Sequence, residues 1–152
     1  VDLPLIADLF ELLQASSGDF TIFFRRLADV DPAAPCLAPL GDAFYLPEAR
    51  NRHEAALLAW LGRWSARVRT DGADAVTRRA RMHAASPWLV PRNWLAQEAI
   101  EAAEQGELAP LHRLLDVLRS PYAEQPVHAR LAGRRPEWAR HKAGCSMLSC
   151  SS

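Results

Sequence analysis

The sequence is short of most features that announce a function. No run of eighteen uninterrupted apolar residues occurs, so no membrane span is expected. The seven glycines are scattered singly and never form a phosphate-cradling loop, which removes the Gly-rich nucleotide signatures. Cysteine is rarer, at Cys36, Cys145 and Cys150. An odd, low count does not suit a disulfide scaffold, so a reducing cytoplasm is the expected compartment. The residues from Val1 onward carry no signal-peptide pattern. Net charge is also missing: eighteen basic residues cancel eighteen acidic ones, which argues against a globally basic nucleic-acid binder. Strand-period alternation of useful length is absent, and no internal repeat is visible.

What remains is enough to fold. The 152 residues are one domain's worth of chain, with 49% hydrophobic and 24% charged residues, a balance that buries a core. The charge, zero in sum, is segregated along the chain. Residues 1–49 hold two basic and eight acidic side chains, and residues 50–92 hold nine and three. Residues 93–129 hold two and six, and residues 130–152 hold five and one. Such blocks are either matched faces within one fold or a docking surface for another domain.

Helical spacing dominates. Asp2 stands where an N-cap would, with Pro4 in the first turn and Leu5, Ile6, Leu9, Phe10 and Leu13 following at helical intervals up to Ser16. Asp19 is placed to cap a second helix with Phe20, Phe23, Phe24 and Leu27 on one stripe, and Arg25 and Arg26 off its centre. Residues 31–47 contain four prolines and predict a long loop of functional or docking type, then a short extended piece at Phe44–Leu46. A long helix is predicted from Pro47 to about Arg69, and another from Asp74 through His83. Residues 92–105 are helical with Leu95, Ala96, Ala99, Ile100 and Ala103 inward, and Asn93 is a candidate cap. Gly106 fits the position after that helix. Pro110 opens a helix with Leu111, Leu114, Leu115 and Leu118, and helical turns recur near Pro136–His141.

Catalytic constellations are hard to find. His112 and Asp116 stand one helical turn apart, but no third metal ligand accompanies them. The clusters Arg78-Arg79-Ala80-Arg81 and Arg134-Arg135 are most simply solvated faces or ion pairs to the acidic blocks. Trp60, Trp64, Trp88 and Trp94 are assigned to packing, because a buried indole contributes a large area. Cys36, beside Pro35, is expected to be packed or partly buried.

From Pro91 the sequence resembles a known family. Pro91-Arg92-Asn93-Trp94-Leu95-Ala96-Gln97 leads into Glu98–Gly106, followed by Leu111–Arg119, Pro121-Tyr122, Glu124-Gln125-Pro126, Arg135–Ala139 and the ending Ser149-Cys150-Ser151-Ser152. With Phe20–Leu27 upstream, this resembles the C-terminal part of the SelO family of pseudokinase-like protein adenylyltransferases. The resemblance implies an irregular all-α segment packing on a kinase-like catalytic core that this chain lacks. The residue pattern, loop-rich after Tyr122, divides the chain into a helical domain at 1–122 and a loop-rich tail at 123–152.

The family transfers AMP from ATP, with Mg or Mn, to Ser, Thr or Tyr hydroxyls of proteins. Its nucleotide-binding and catalytic residues precede this region, so no catalytic, cofactor-binding or metal residue is carried onto this chain. The implied partners are the N-terminal kinase-like domain of the same protein and protein substrates, with no nucleic acid and no membrane. The resemblance also implies a redox role for Cys150, which would pair with a cysteine near the missing active site, or alternatively with Cys145. A stand-alone helical interaction module is the competing expectation, using residues 50–92 to hold an acidic partner. An Arg-rich nucleic-acid binder is a third. A severed segment would expose an apolar patch, and the helix from Pro47 and that at Phe20–Leu27 are expected to contribute to it.

Overall fold

Pro4 and the leucine spacing start α1 (Leu3–Ala15), whose Leu9 and Leu13 are buried. The computed structural model describes residues 2–145 and is helical throughout, with an isolated bridge in place of any sheet among them. The fold is all-α, and the kinase-like core that the resemblance implies is absent from this chain. Contacts divide the chain into two compact units, Val1–Ser86 and Pro87–Ser152. The boundary expected at residue 122 falls inside the second unit.

In the first unit, Asp2 occupies the N-cap position but makes no side-chain cap bond. Its carboxylate instead accepts from Arg67 Nε at 3.0 Å. Ser17 adopts a positive φ of 57°, and the chain turns into α2 (Phe20–Leu27). Gly18 is required at this turn, because a Cβ there would meet Leu13 Cδ2 at 2.6 Å. Asp19 caps α2 as expected, Oδ1 accepting from the Ile22 N–H at 3.1 Å. Its other oxygen accepts from the Tyr45 hydroxyl at 2.7 Å.

The proline-rich segment, expected to be a long loop of functional or docking type, is in its second half a core element. Its 3-10 helix at Ala38–Ala43 packs on α2, and Leu37, Leu40, Ala43 and Phe44 are buried. The Asp19 N–H donates to the Ala43 carbonyl at 2.6 Å, and the Tyr45 N–H to Ser17 at 3.0 Å. Prolines here spare the chain some backbone hydrogen bonds, while the leucines between them supply core. Cys36, expected to be packed, is exposed.

The helix predicted over Pro47–Arg69 is two helices, α3 (Pro47–Arg52) and α4 (Glu54–Arg69). They break at His53, whose N–H reaches back three residues to Arg50 while its Nδ1 lies 2.8 Å from the Ala49 carbonyl. A carbonyl only accepts, so Nδ1 carries the proton in this contact. Leu57, Trp60, Leu61 and Trp64 line the buried side of α4. The Trp60 ring meets Phe23 at 5.9 Å and Trp64 at 6.5 Å, and its Nε1 donates to the Leu5 carbonyl of α1 at 2.8 Å. Each such ring contributes roughly 1.5–3 kcal/mol by leaving water.

Asp74 caps α5 (Ala75–Ala85), accepting from the Thr77 N–H at 2.9 Å. That bond, first, and the Thr77 hydroxyl, next, hold its carboxyl below the usual range. Arg25 of α2 is 8% exposed, and its Nη1 donates to the His83 and Ser86 carbonyls at 3.2 and 3.1 Å. A guanidinium placed off the apolar stripe thus closes the C-terminal end of α5.

The second unit holds α6 (Asn93–Glu104), α7 (Ala109–Leu118) and α8 (Ala129–Ala132), with 3-10 turns at Pro126–His128 and Glu137–Arg140. The N–H groups of Trp88 and Leu89 both donate to the Pro121 carbonyl, at 2.8 and 3.1 Å. Asn93 does not cap α6: the cap position falls on Arg92, and Asn93 is an exposed first helical residue. The buried stripe is Trp94, Leu95 and Ala99, while Ile100 and Ala96, expected inward, face out. The indole of Trp94 rotates the stripe toward itself, because it offers more area than Ala96 or Ile100. Gly106 follows the helix with φ of 86°.

Candidate functional site

The second unit brings its carboxy-terminal stretch back along α6. Trp94, Gln97, Glu98 and Glu101 are spaced three, four or seven residues apart, so they share one helical face. Arg130 of α8 sits on this face twice over. Its Nη2 lies 2.5 Å from Glu98 Oε1, and its guanidinium carbon is 5.4 Å from the Trp94 ring centroid. Trp138 meets Trp94 edge-on at 6.5 Å, and Lys142 Nζ lies 5.2 Å from the Trp138 ring. Lys142 is also ion-paired with Glu101, which accepts from Gln97 Nε2 at 3.0 Å. The Lys142 ammonium first, and the Gln97 amide next, hold the Glu101 carboxyl below its usual range.

Gly144 completes the closure. Its φ is +80°, and a Cβ there would approach Gln97 Oε1 to 2.6 Å. Cys145 follows, 6% exposed and packed with Leu89, Trp94, Leu95, Leu114, Val117 and Ala139. The arrangement is a strap: alternating cations and indoles clamp residues 130–145 to α6, and the thiol at its end is core. Of the two redox candidates, Cys145 is therefore enclosed, and Cys150 lies outside the described residues. The strap was not anticipated, although two signals for it were present. These were the facing acidic and basic blocks after residue 92 and the helical spacing of Trp94, Glu98 and Glu101.

The same pairing disposes of the earlier blocks. Arg63 Nη1 lies 2.7 Å from Asp8, and Arg67 binds both Asp2 and Asp71. Arg79 Nη2 lies 2.7 Å from Asp29, and Arg26 Nη2 3.2 Å from Asp42. Arg78 donates to the Val30 carbonyl at 3.1 Å and Arg69 to Pro32 at 3.2 Å. Arg63, Arg67 and Arg79 of the basic stretch at 50–92 thus face acids of the first block. Each exposed pair is weak, so the pairs set register more than stability. The indoles are placed as predicted: Trp60, Trp64 and Trp94 are buried and Trp88 packs against the second core.

The His112–Asp116 pair gains no companion. Asp116 accepts from Arg119 at 2.8 Å, and His112 is exposed. No three His, Cys, Asp or Glu side chains converge among the described residues. The donor sets present do not fit a nucleotide-bound divalent cation, and no step of a transfer reaction is assigned to this chain. No described helix is long and apolar enough to cross a membrane.

The chain is similar over nearly its whole length to proteins named protein nucleotidyltransferase YdiU. It is 51% identical over 151 residues to that of Tolumonas auensis and, over the same length, to that of Aromatoleum aromaticum. It is 49% identical to that of Xanthomonas campestris pv. campestris. Each match covers 99% of this chain and 29% of the relative, so the chain spans less than a third of these curated relatives. No protein-family model matches it. The chain belongs to the YdiU/SelO nucleotidyltransferase family, whose C-terminal region it represents.

Proposed function

We propose that this chain is the C-terminal brace of a protein adenylyltransferase. The whole protein moves AMP from ATP, with Mg or Mn, onto Ser, Thr or Tyr hydroxyls of protein substrates in the cytoplasm. This segment is inactive alone and supports the kinase-like core that precedes it. Its strap holds the chain up to Cys145, and Cys150 serves as a regulatory thiol. That thiol forms a disulfide with a cysteine of the core, or with Cys145, by exchange with a small-molecule disulfide that is reduced to two thiols. The observation that carries the proposal is the 51% identity along 151 residues to proteins named as nucleotidyltransferases.

The test has two parts. An antibody against the last ten residues is used to find the native polypeptide in its source cells, and that species is then assayed for transfer of labelled AMP to protein. A product several times heavier than 16.9 kDa that labels protein hydroxyls supports the proposal. A native species of about this chain's own mass, or a long one that labels nothing, refutes it.

A further inference from the structure

The first unit turns an apolar stripe to solvent. Leu3, Ile6 and Phe10 recur at three- and four-residue intervals on α1, along the flank of the stripe that buries Leu9 and Leu13. They are 77%, 45% and 46% exposed. Phe20 of α2 extends the stripe: it is 43% exposed, and its ring lies 5.3 Å from that of Phe10. Phe24, half-buried, follows at 6.4 Å from Phe20. The helix from Pro47, expected to share in such a patch, adds only Leu58 of α4 as a large exposed apolar residue.

We infer that the Leu3–Ile6–Phe10–Phe20 stripe is an intramolecular docking surface, and that its occupant is the part of the same polypeptide that precedes this region in the longer relatives. The inference rests on the family placement, in which the matched region is 29% of each relative and lies toward the C-terminus. α1 is the first helix of that region, so the preceding chain enters beside Leu3.

Three observations favour this occupant. First, four side chains with these exposures present on the order of 400 Å² of apolar surface, in the size range of functional patches. That is about half of what each partner of a standard-sized interface buries, which is little for a free second copy. A tethered occupant needs less, because its loss of translational freedom is already met by the chain. Second, α1 carries Asp8 and Glu11, with Asp2 at its cap, and no Lys or Arg. An acidic, apolar helix does not suit an anionic lipid surface. Third, Asp2 and Asp8 are ion-paired with Arg67 and Arg63 of α4, so the charge of two of the three acids of this helix is already matched when the stripe is covered.

The test is a comparison of one set of substitutions in two contexts. Ile6→Glu with Phe10→Glu, and separately the milder Leu3→Glu, are made in this 152-residue chain and in the native longer polypeptide. Melting temperature and hydrogen exchange of the α1 amides are measured in both. The expected result is a small fall in the short chain, where the Phe10–Phe20 contact is lost, and in the long one a further fall on the order of 10 °C for the pair with faster α1 exchange.

Equal effects in both contexts would mean the stripe is covered within this chain, and no effect in either would mean nothing covers it. A dimer of the short chain that the substitutions dissolve, with the long protein unmoved, would assign the surface to a second copy. Each of these overturns the inference. Transfer activity is read separately. A long protein that labels nothing yet shows the differential destabilisation would end the adenylyltransferase proposal and leave the docking surface standing.

Discussion

Replacing Arg25 by Met should unfasten the end of α5. Met keeps an unbranched apolar stem in the space the arginine stem fills but removes the guanidinium. The His83 and Ser86 carbonyls then lose donors at 3.2 and 3.1 Å in a part-buried position. A hydrogen bond from a charged donor is worth about 1.5–3 kcal/mol, so two of them set an upper limit near 6 kcal/mol. Burying the guanidinium carried its own desolvation cost, which the substitution removes. The net loss should therefore be about 2 kcal/mol, a fall in Tm of about 6 °C for a chain of this size. Urea unfolding followed by circular dichroism gives the free energy, and hydrogen exchange gives the location, with the amides of the last turn of α5 losing protection first. A loss below about 0.5 kcal/mol with unchanged α5 exchange would refute the reasoning. It would show that water serves those carbonyls as well as Arg25 does.

Two further outcomes concern the strap. Gly144→Ala should release it, because the positive φ and the Gln97 amide both oppose a Cβ. A cost of about 1–2 kcal/mol is expected, read as faster exchange over residues 137–145 and altered Trp138 fluorescence. Acid should release it too. The Glu101 carboxyl is held below its ordinary value of 4.5, so the folded state gains from this pair only where the carboxylate is ionised. The gain is whole above 4.5 and fades as pH falls from there through the lowered folded value. Trp138 fluorescence should therefore change in that acid window in the native protein and not in Glu101→Gln.

Much of the helical framework was legible, because caps and stripes are local. Asp19 and Asp74 cap the helices that they precede, and Gly106 ends α6 in the left-handed conformation. Other features depend on partners distant in sequence. His53 breaks a helix through its own backbone geometry, with no proline or glycine to signal it. Arg25 is buried because two carbonyls more than fifty residues away need it. Asp2 had the right position for a cap, but Arg67 competes for its carboxylate. The inward residues of α6 were misjudged at Ala96 and Ile100, since three neighbouring apolar positions compete for one buried face and the largest ring wins. The strap needed Trp94, Trp138, Arg130 and Lys142 to converge from four points of the chain, and spacing along one helix cannot show that. The charge blocks left matched faces and a docking surface equally open, and which arginine meets which acid needs the pair distances.

The clamp on α6 has an analytical consequence. Seventeen of the eighteen basic residues are arginine, so Lys142 is the chain's single lysine. Its amine is ion-paired with Glu101 and lies over the Trp138 ring. An acylating reagent that consumes this amine removes its charge and its three donors together. Acylation of side-chain amines in this region therefore cannot be spread over many sites, as on an ordinary surface. Amide formation on a side chain converges on one nitrogen, and the rate at which that nitrogen is labelled should rise in Glu101→Gln, where its ion pair is lost.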